Sequence, residues 1–337
     1  MNRGERIQDV SGHAKRTIAV IGSNSFSGSD FIDLLLEDPR NTVVGASRSA
    51  EKCAAFLPYK RHRESNFTFH QMDLNTDSDR MIRLLDTVKP NYIVNFAAQS
   101  EVAPSWIHPE HWFQTNVVSL AKLTNALKER DYLTRYVHIS SPEVYGTCEG
   151  RVLESAPLNP STPYAASKAA ADLYLFTLVK NYNFPLVMIR ATNVYGAYQQ
   201  LFKIIPRTII SLKMDKNIQL HGGGRAVKSY IHIRDVSRGE LLAMEQGQLG
   251  AIYHFSPERG IAVRDVVKQL CHIFRKDFKR HTTAVAERLG QDAAYEIDSS
   301  RSRIELGWSQ EITFDDISEA SLNEQISLAE LPELDLL

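Results

Sequence analysis

Short apolar runs alternate with longer helical stretches through the first half of the chain, and this alternation constrains the fold more than any other feature. The runs are Thr17–Gly22, Thr42–Ser47, Phe67–Met72, Tyr92–Phe96, Tyr136–Ser140 and Leu186–Arg190. Most are apolar on both faces, as expected of strands covered on both sides. Between them, helical patterns fall near Ser29–Glu37, Asp79–Val88, Thr115–Arg130 and Ala165–Asn181. Strand–helix alternation of this kind predicts an α/β fold: a doubly wound parallel sheet of Rossmann type with helices on both faces. Ligands of such sheets bind at the carboxyl ends of the strands.

The pattern weakens after Tyr195. The expected organisation is a flexible tail over 1–16, a dinucleotide-binding domain over 17–195, and a smaller mixed α/β substrate region over 196–325. A strand near 251–256 returns to the main sheet, and 326–337 is a second tail. The chain has 337 residues, 43% hydrophobic and 23% charged, with a net charge of −1. That balance gives no electrostatic reason to expect nucleic acid or membrane as partner. No apolar run approaches the ~20 residues of a membrane span. Cys53, Cys148 and Cys271 are too widely spaced for a metal site, so a reducing, cytoplasmic setting is expected and no metal.

The first strand runs into a loop holding Gly22, Ser25, Phe26, Ser27 and Gly28, and a helix comes next. A glycine turn leading to a helix N-terminus offers N–H groups and a positive dipole end to a pyrophosphate. Gly22 permits the turn and Gly28 the close packing of helix on strand. Ser25 stands where the usual fingerprint has a glycine, so its backbone must avoid φ > 0. The second strand ends at Ser47-Arg48 with no carboxylate before Glu51. NAD enzymes usually place an acid there for the ribose hydroxyl; an arginine suits the extra phosphate of NADP. NADP is expected, with NAD the alternative.

Tyr164 and Lys168, four apart at the start of a helix, share one helical face. A phenol near an ammonium group loses its proton more readily and can act as a base. Upstream, the strand Tyr136–Ser140 ends at Ser141, Pro142 and Glu143. A hydroxyl, a carboxylate, a phenol and an amine are thereby expected at one strand end. Alone, Glu143 reads more readily as a helix cap than as a base. Trp106 and Trp112 read as core or interface, His108 and His111 do not read as metal ligands, and His221 and His232 read as structural.

Taken in order, these motifs resemble the extended short-chain dehydrogenase/reductases that act on nucleotide sugars, above all the dTDP-glucose and GDP-mannose 4,6-dehydratases. Thr17 to Trp308 is covered. Asp73 and Leu74 match an adenine-side segment, and Phe96, Ala97, Ala98 and Gln99 a cofactor-lining one; Asn116 matches the next helix along the chain. The resemblance implies that Tyr164 takes the proton of the sugar O4 and that Ser141 hydrogen-bonds that oxygen. Lys168 lowers the phenol's pKa and holds the nicotinamide ribose. It further implies that hydride leaves C4 for the cofactor, that Glu143 removes the C5 proton, that water departs from C6, and that the hydride returns there. The cofactor is thus tightly bound and regenerated each turnover. Ser100, Glu143, Asn193, Lys203, Arg225, Lys228 and Arg288 are implied to hold the nucleotide-diphosphate sugar. A homodimer is implied, paired through the helices near Thr115–Arg130 and Ala165–Asn181.

Three positions depart from the dTDP-glucose pattern. Pro142 replaces the aspartate that protonates the leaving hydroxyl, as the GDP-mannose type also lacks it. Lys228 replaces an arginine, and Phe202 a sugar-facing glutamate. A 4-epimerase, which needs Tyr164, Lys168 and Ser141 but not Glu143, is the alternative activity. A sugar-acid decarboxylase and a non-catalytic cofactor-binding regulator stand behind it.

Overall fold

The computed structural model describes residues 15–62, 66–148, 150–286 and 296–316. Seven parallel strands form the main sheet: β1 (Arg16–Ile21), β2 (Asn41–Ser47), β3 (Phe67–Gln71), β4 (Tyr92–Asn95), β5 (Arg135–Ile139), β6 (Leu186–Ala191) and β7 (Ile252–Phe255). Their spatial order is β7-β6-β5-β4-β1-β2-β3, every neighbouring pair parallel. The order reverses between β1 and β4, which opens a crevice above their carboxyl ends. This is the Rossmann-type doubly wound fold.

Alternate residues of β1 serve opposite faces. Ile18 and Val20 pack with Phe31, Ile32 and Leu35 of α1 (Phe26–Leu35), whereas Ala19 and Ile21 pack with the other face's cluster. That second face is covered by α2 (Ser78–Val88), α3 (Leu120–Leu127) and α4 (Pro163–Tyr182). The helix expected to run from Thr115 to Arg130 has a different start. Gln114–Ser119 is π-helical and only Leu120–Leu127 is regular α-helix. The wide turn carries Asn116, whose amide is committed to the backbone of Gln99 and the hydroxyl of Ser167. Wide turns of this kind concentrate near functional sites.

A fifth helix, α5 (Ile233–Gln246), lies against α1 and buries carboxylates there. Asp30 accepts from Ser237 Oγ at 2.7 Å, and Asp33 is paired with Arg234. Glu240 is 1% exposed, and its Oε2 has no hydrogen-bond partner among the described residues. Burial pushes its carboxyl well above the ordinary 4.5, and neighbouring Asp30 adds to the shift. The folded state therefore keeps a proton that the unfolded chain releases above ~4.5, so stability from this group is lost as pH rises. Glu240→Gln is expected to be more stable than the native protein by about 1–3 kcal/mol at pH 8, with little difference at pH 4.5. Urea midpoints of the two proteins across that range check this; a gap that does not grow with pH contradicts it.

The second part of the chain is smaller and mixed. Asn193–Tyr195 pairs in parallel with Tyr230–His232, Ile218–His221 with Thr282–Val285, and Val227–Lys228 runs antiparallel to Ile261–Ala262. Helices Ile204–Lys213 and Val263–Ile273 close a separate cluster around Ile209, Leu212, Val267 and Leu270. Among the described residues no helix is long and apolar enough to cross a membrane.

Candidate active site

The β1 strand ends in the glycine loop, and Ser25 sets where α1 begins. Its backbone is extended (φ −72°, ψ 160°) and its Oγ accepts from Gly28 N at 3.0 Å, capping α1. The helix therefore starts three residues before the expected Ser29. Gly22 has φ +89°, and a Cβ there would lie 2.7 Å from Ala97 N. A Cβ on Gly28 would meet Gly22 O at 2.5 Å. Both positions demand glycine for close approach of backbone to backbone. The cleft at this loop is lined by Gly22, Ser25, Ser47 and Arg48 together with Asp73, Leu74, Phe96, Ala97, Ala98 and Gln99. A helix N-terminus, a tight glycine cradle and a cationic rim fit a dinucleotide.

Some of the cofactor candidates act at one remove. Ser47 Oγ accepts from Asn24 N at 2.9 Å and so braces the loop. Phe26 and Gly28 are buried in the first turn of α1. Asn116 splices the Phe96–Ser100 segment onto α4 rather than lining the cleft. Asn24, Lys52 and Asn75 line it and were not singled out from sequence. Asn24 ties the loop to Ser49 and Ala50 through its side-chain amide, and Lys52 Nζ donates to Asn24 O at 2.9 Å. A charge just past the β2 end was the available signal for Lys52.

At the carboxyl end of β5, Ser141 caps a turn formed by Pro142–Tyr145, its Oγ accepting from Glu143 N at 3.2 Å. Proline suits the first position of that turn. The α4 helix begins with Thr162 as cap and Pro163 at its first turn, which sets Tyr164 at the helix mouth and Lys168 one turn deeper. The backbone N–H of Tyr164 donates to Ser105 Oγ at 3.2 Å. Tyr164 is 8% exposed, and burial and then Glu143 push its phenol above the ordinary value; a hydrogen bond with Ser141 pulls the other way. Ser141, Glu143 and Tyr164 thus form one cluster.

Lys168 differs from the expectation. Its Nζ donates to Ile139 O at 2.7 Å and faces His138 Nε2 at 3.5 Å. Burial brings its pKa down to about 8. A hydrogen bond with Ser141 is what pulls the phenol's pKa down. The reason for the amine's placement is local: α4 leans its first turns on the end of β5, whose last carbonyl is the nearest strong acceptor.

The other sugar candidates lie in the second part of the chain, apart from Glu143, described above, and Ser100, which is exposed at the end of the cofactor-lining segment. Asn193 opens its strand, its N–H donating to Ser229 O at 2.9 Å beside half-buried Lys228. Lys203 precedes helix Ile204–Lys213 with its ammonium over the Phe202 ring. Arg225 folds back onto its own turn, Nε donating to Gly222 O at 3.2 Å. Arg288 lies outside the described residues. Trp112 is buried and Trp106 is 56% exposed. His108 and His111 stack on each other at 5.2 Å on the exposed side of this segment, and His232 caps α5.

Residues 20–320 match the family model described as GDP-mannose 4,6 dehydratase. The chain belongs to that family. Members are extended short-chain dehydrogenase/reductases, and the relatives agree. A dTDP-glucose 4,6-dehydratase of Haemophilus influenzae is 28% identical, with 88% of this chain and 94% of that one covered. An Arabidopsis thaliana trifunctional UDP-glucose 4,6-dehydratase/epimerase/reductase is 31% identical over 91% of this chain, which spans about half (47%) of that protein's length. A crystal structure of the Streptomyces venezuelae dTDP-glucose 4,6-dehydratase with NAD bound superposes with a TM-score of 0.83 at 30% identity, covering 92% of this chain and 95% of that one.

Proposed function

We propose that this family member is a nucleotide-sugar 4,6-dehydratase that converts a nucleotide-diphosphate hexose into its 4-keto-6-deoxy product. The carrying observation is the Ser141–Glu143–Tyr164 cluster at the β5 end, on the strand next to the cleft-forming β4. Bound in that cleft, a nicotinamide supplies the site that takes hydride from sugar C4 and gives it back to C6. The protein's groups do the rest. Tyr164 takes the O4 proton while Ser141 holds that oxygen. Glu143 then removes the C5 proton, made acidic by the neighbouring ketone. Because Pro142 has no proton to give, Glu143 passes that proton to the C6 hydroxyl, which leaves as water; once hydride is back on C6, C5 is reprotonated through Glu143, and the proton that Tyr164 took from O4 balances the one lost with the water.

Proton balance separates this reading from 4-epimerisation. An epimerase reduces its ketone again and the tyrosine returns its proton. A dehydratase leaves the ketone in place, so it needs a second acid–base group near the first. Glu143 is that group. Incubation with common nucleotide-diphosphate hexoses should yield the alkaline ultraviolet absorbance of a 4-keto-6-deoxy sugar with at least one of them. A clean 4-epimer without that absorbance would overturn the reading.

For the cofactor we favour NADP. Arg48 and Lys52 line the cleft past β2. The nearby carboxylate, Glu51, accepts from Tyr59 and is paired with Lys60 at 2.9 Å, so it is already engaged. Arg48→Ala is expected to weaken NADP binding about tenfold or more, with NAD changed less than about threefold. Tryptophan fluorescence titration checks it; equal losses for both cofactors would point to NAD.

A second copy of the chain is the natural cover for Trp106, Ile107, Val118 and Leu173, which are 54–72% exposed around the α3–α4 face. A homodimer is accordingly proposed. Cys53, Cys148 and Cys271 are all free thiols, which suits a cytoplasmic setting.

A further inference from the structure

Lys168 sits in a buried polar nest whose other members no step above uses. On β5, Ile139 O accepts from its Nζ and His138 Nε2 faces it. On its own helix, Asp172 lies one turn further along, Oδ2 accepting from Ser140 Oγ and from Arg190 Nη2 of β6, both at 2.7 Å. Arg190 also donates to the Tyr145 hydroxyl, which meets His254 Nε2 at 2.8 Å. His138, Lys168, Asp172 and Arg190 are each no more than 2% exposed.

His138 Nε2 lies 3.5 Å from the Lys168 ammonium and 4.0 Å from Asp172 Oδ1, the ammonium being the nearer group. An ammonium group only donates, so Nε2 must keep its lone pair to receive it. The ring hydrogen then sits on Nδ1, which is buried without a hydrogen-bond partner among the described residues. An unpaired buried N–H is unfavourable, and an apolar side chain in the same space would avoid it. What the imidazole adds is the acceptor. A protonated ring would also put a third cation beside Lys168 and Arg190; burial and those two charges hold its pKa far below the ordinary value.

We propose that His138 is a positioning residue for the reaction: a permanently neutral acceptor that holds the Lys168 amine in place at the β5 end. This rests on the dehydratase reading, in which Lys168 serves the bound cofactor. With Ile139 O and His138 taking two of the three N–H groups, the third has one direction left. The charged and titratable groups facing Lys168 are then His138 on β5, Asp172 on α4 and Arg190 on β6. Losing an acceptor from a buried ammonium favours its neutral form, so the proton leaves at lower pH.

The test compares His138→Met, which fills the space without a strong acceptor, with His138→Gln, whose amide oxygen reaches the place of Nε2. Three quantities are read: affinity for NADP against pH by tryptophan fluorescence, kcat with the hexose nucleotide found in the substrate panel, and urea midpoint. The native protein should lose affinity as pH passes through about 8, where Lys168 gives up its proton. In His138→Met that loss should move about one pH unit lower and kcat should fall about tenfold or more; in His138→Gln both should return to within about threefold of native. If the methionine variant does not fold, His138→Asn, whose amide stops short of Lys168, replaces it with the same expected losses. Equal behaviour of the Gln and non-acceptor variants, or losses that track the urea midpoint, would overturn the proposal. Tyr164→Phe run alongside separates the two readings: full activity there removes the dehydratase reading, whereas an inactive Tyr164→Phe with an unaffected His138→Met removes only this one.

Discussion

Tyr164→Phe should lower kcat by roughly 10³-fold while leaving cofactor affinity within about threefold, as expected for loss of a positioned acid–base group. Phenylalanine keeps the ring of a side chain that is 8% exposed, so the helix mouth stays packed. The hydroxyl lost is the one that hydrogen-bonds Ser141. The electrostatics sharpen the expectation. Burial and Glu143 hold the phenol above its ordinary value, and Ser141 opposes them. Ser141→Ala should therefore shift the acid limb of the kcat/KM profile to higher pH, because the phenol becomes a group that gives up its proton less readily. Steady-state rates from pH 6 to 10 check both variants. A Tyr164→Phe protein with native kcat would remove the phenol from the chemistry.

Glu143→Gln should have an effect of similar size by a different route. The amide cannot take the C5 proton, so turnover should fall ~10²–10⁴-fold. The first step should survive. Removing a negative charge beside Tyr164 lets the phenol ionise more easily, since Glu143 is among the groups that raise its pKa. Mixing this variant with substrate should thus build up the near-ultraviolet absorbance of reduced nicotinamide, with no exchange of the C5 hydrogen into deuterated solvent. Native exchange at C5 would take the role away from Glu143.

How far the sequence reaches depends on which force sets each feature. The apolar runs were legible because a strand covered on both faces can hold little else, and β1, β2, β4, β5 and β6 fall within a residue or two of the runs read from sequence. The start of α1 was less so: Ser25 looked like a flawed glycine and is in fact the helix cap. The π-helical turn at Gln114–Ser119 was invisible, because it is imposed by Asn116 reaching two distant segments, Gln99 and Ser167. The pairing of Tyr164 with Ser141 across separate elements could be anticipated from motif order. The placement of Lys168 could not. Its partners are a backbone carbonyl and an imidazole on another strand, and nothing in the spacing of Tyr164 and Lys168 reports them. Lys52 escaped notice for a similar reason, since its anchor is the backbone oxygen of Asn24 in the glycine loop.

Hexose nucleotide carrying deuterium at C4 gives the most direct test of dehydratase chemistry. After turnover in ordinary water, mass spectrometry and NMR of the product should find the label at C6 of a 4-keto sugar; unlabelled substrate turned over in deuterated water should carry deuterium at C5. Label retained at C4 of an epimer, or washed out altogether, would contradict transfer between the two carbons within one closed site.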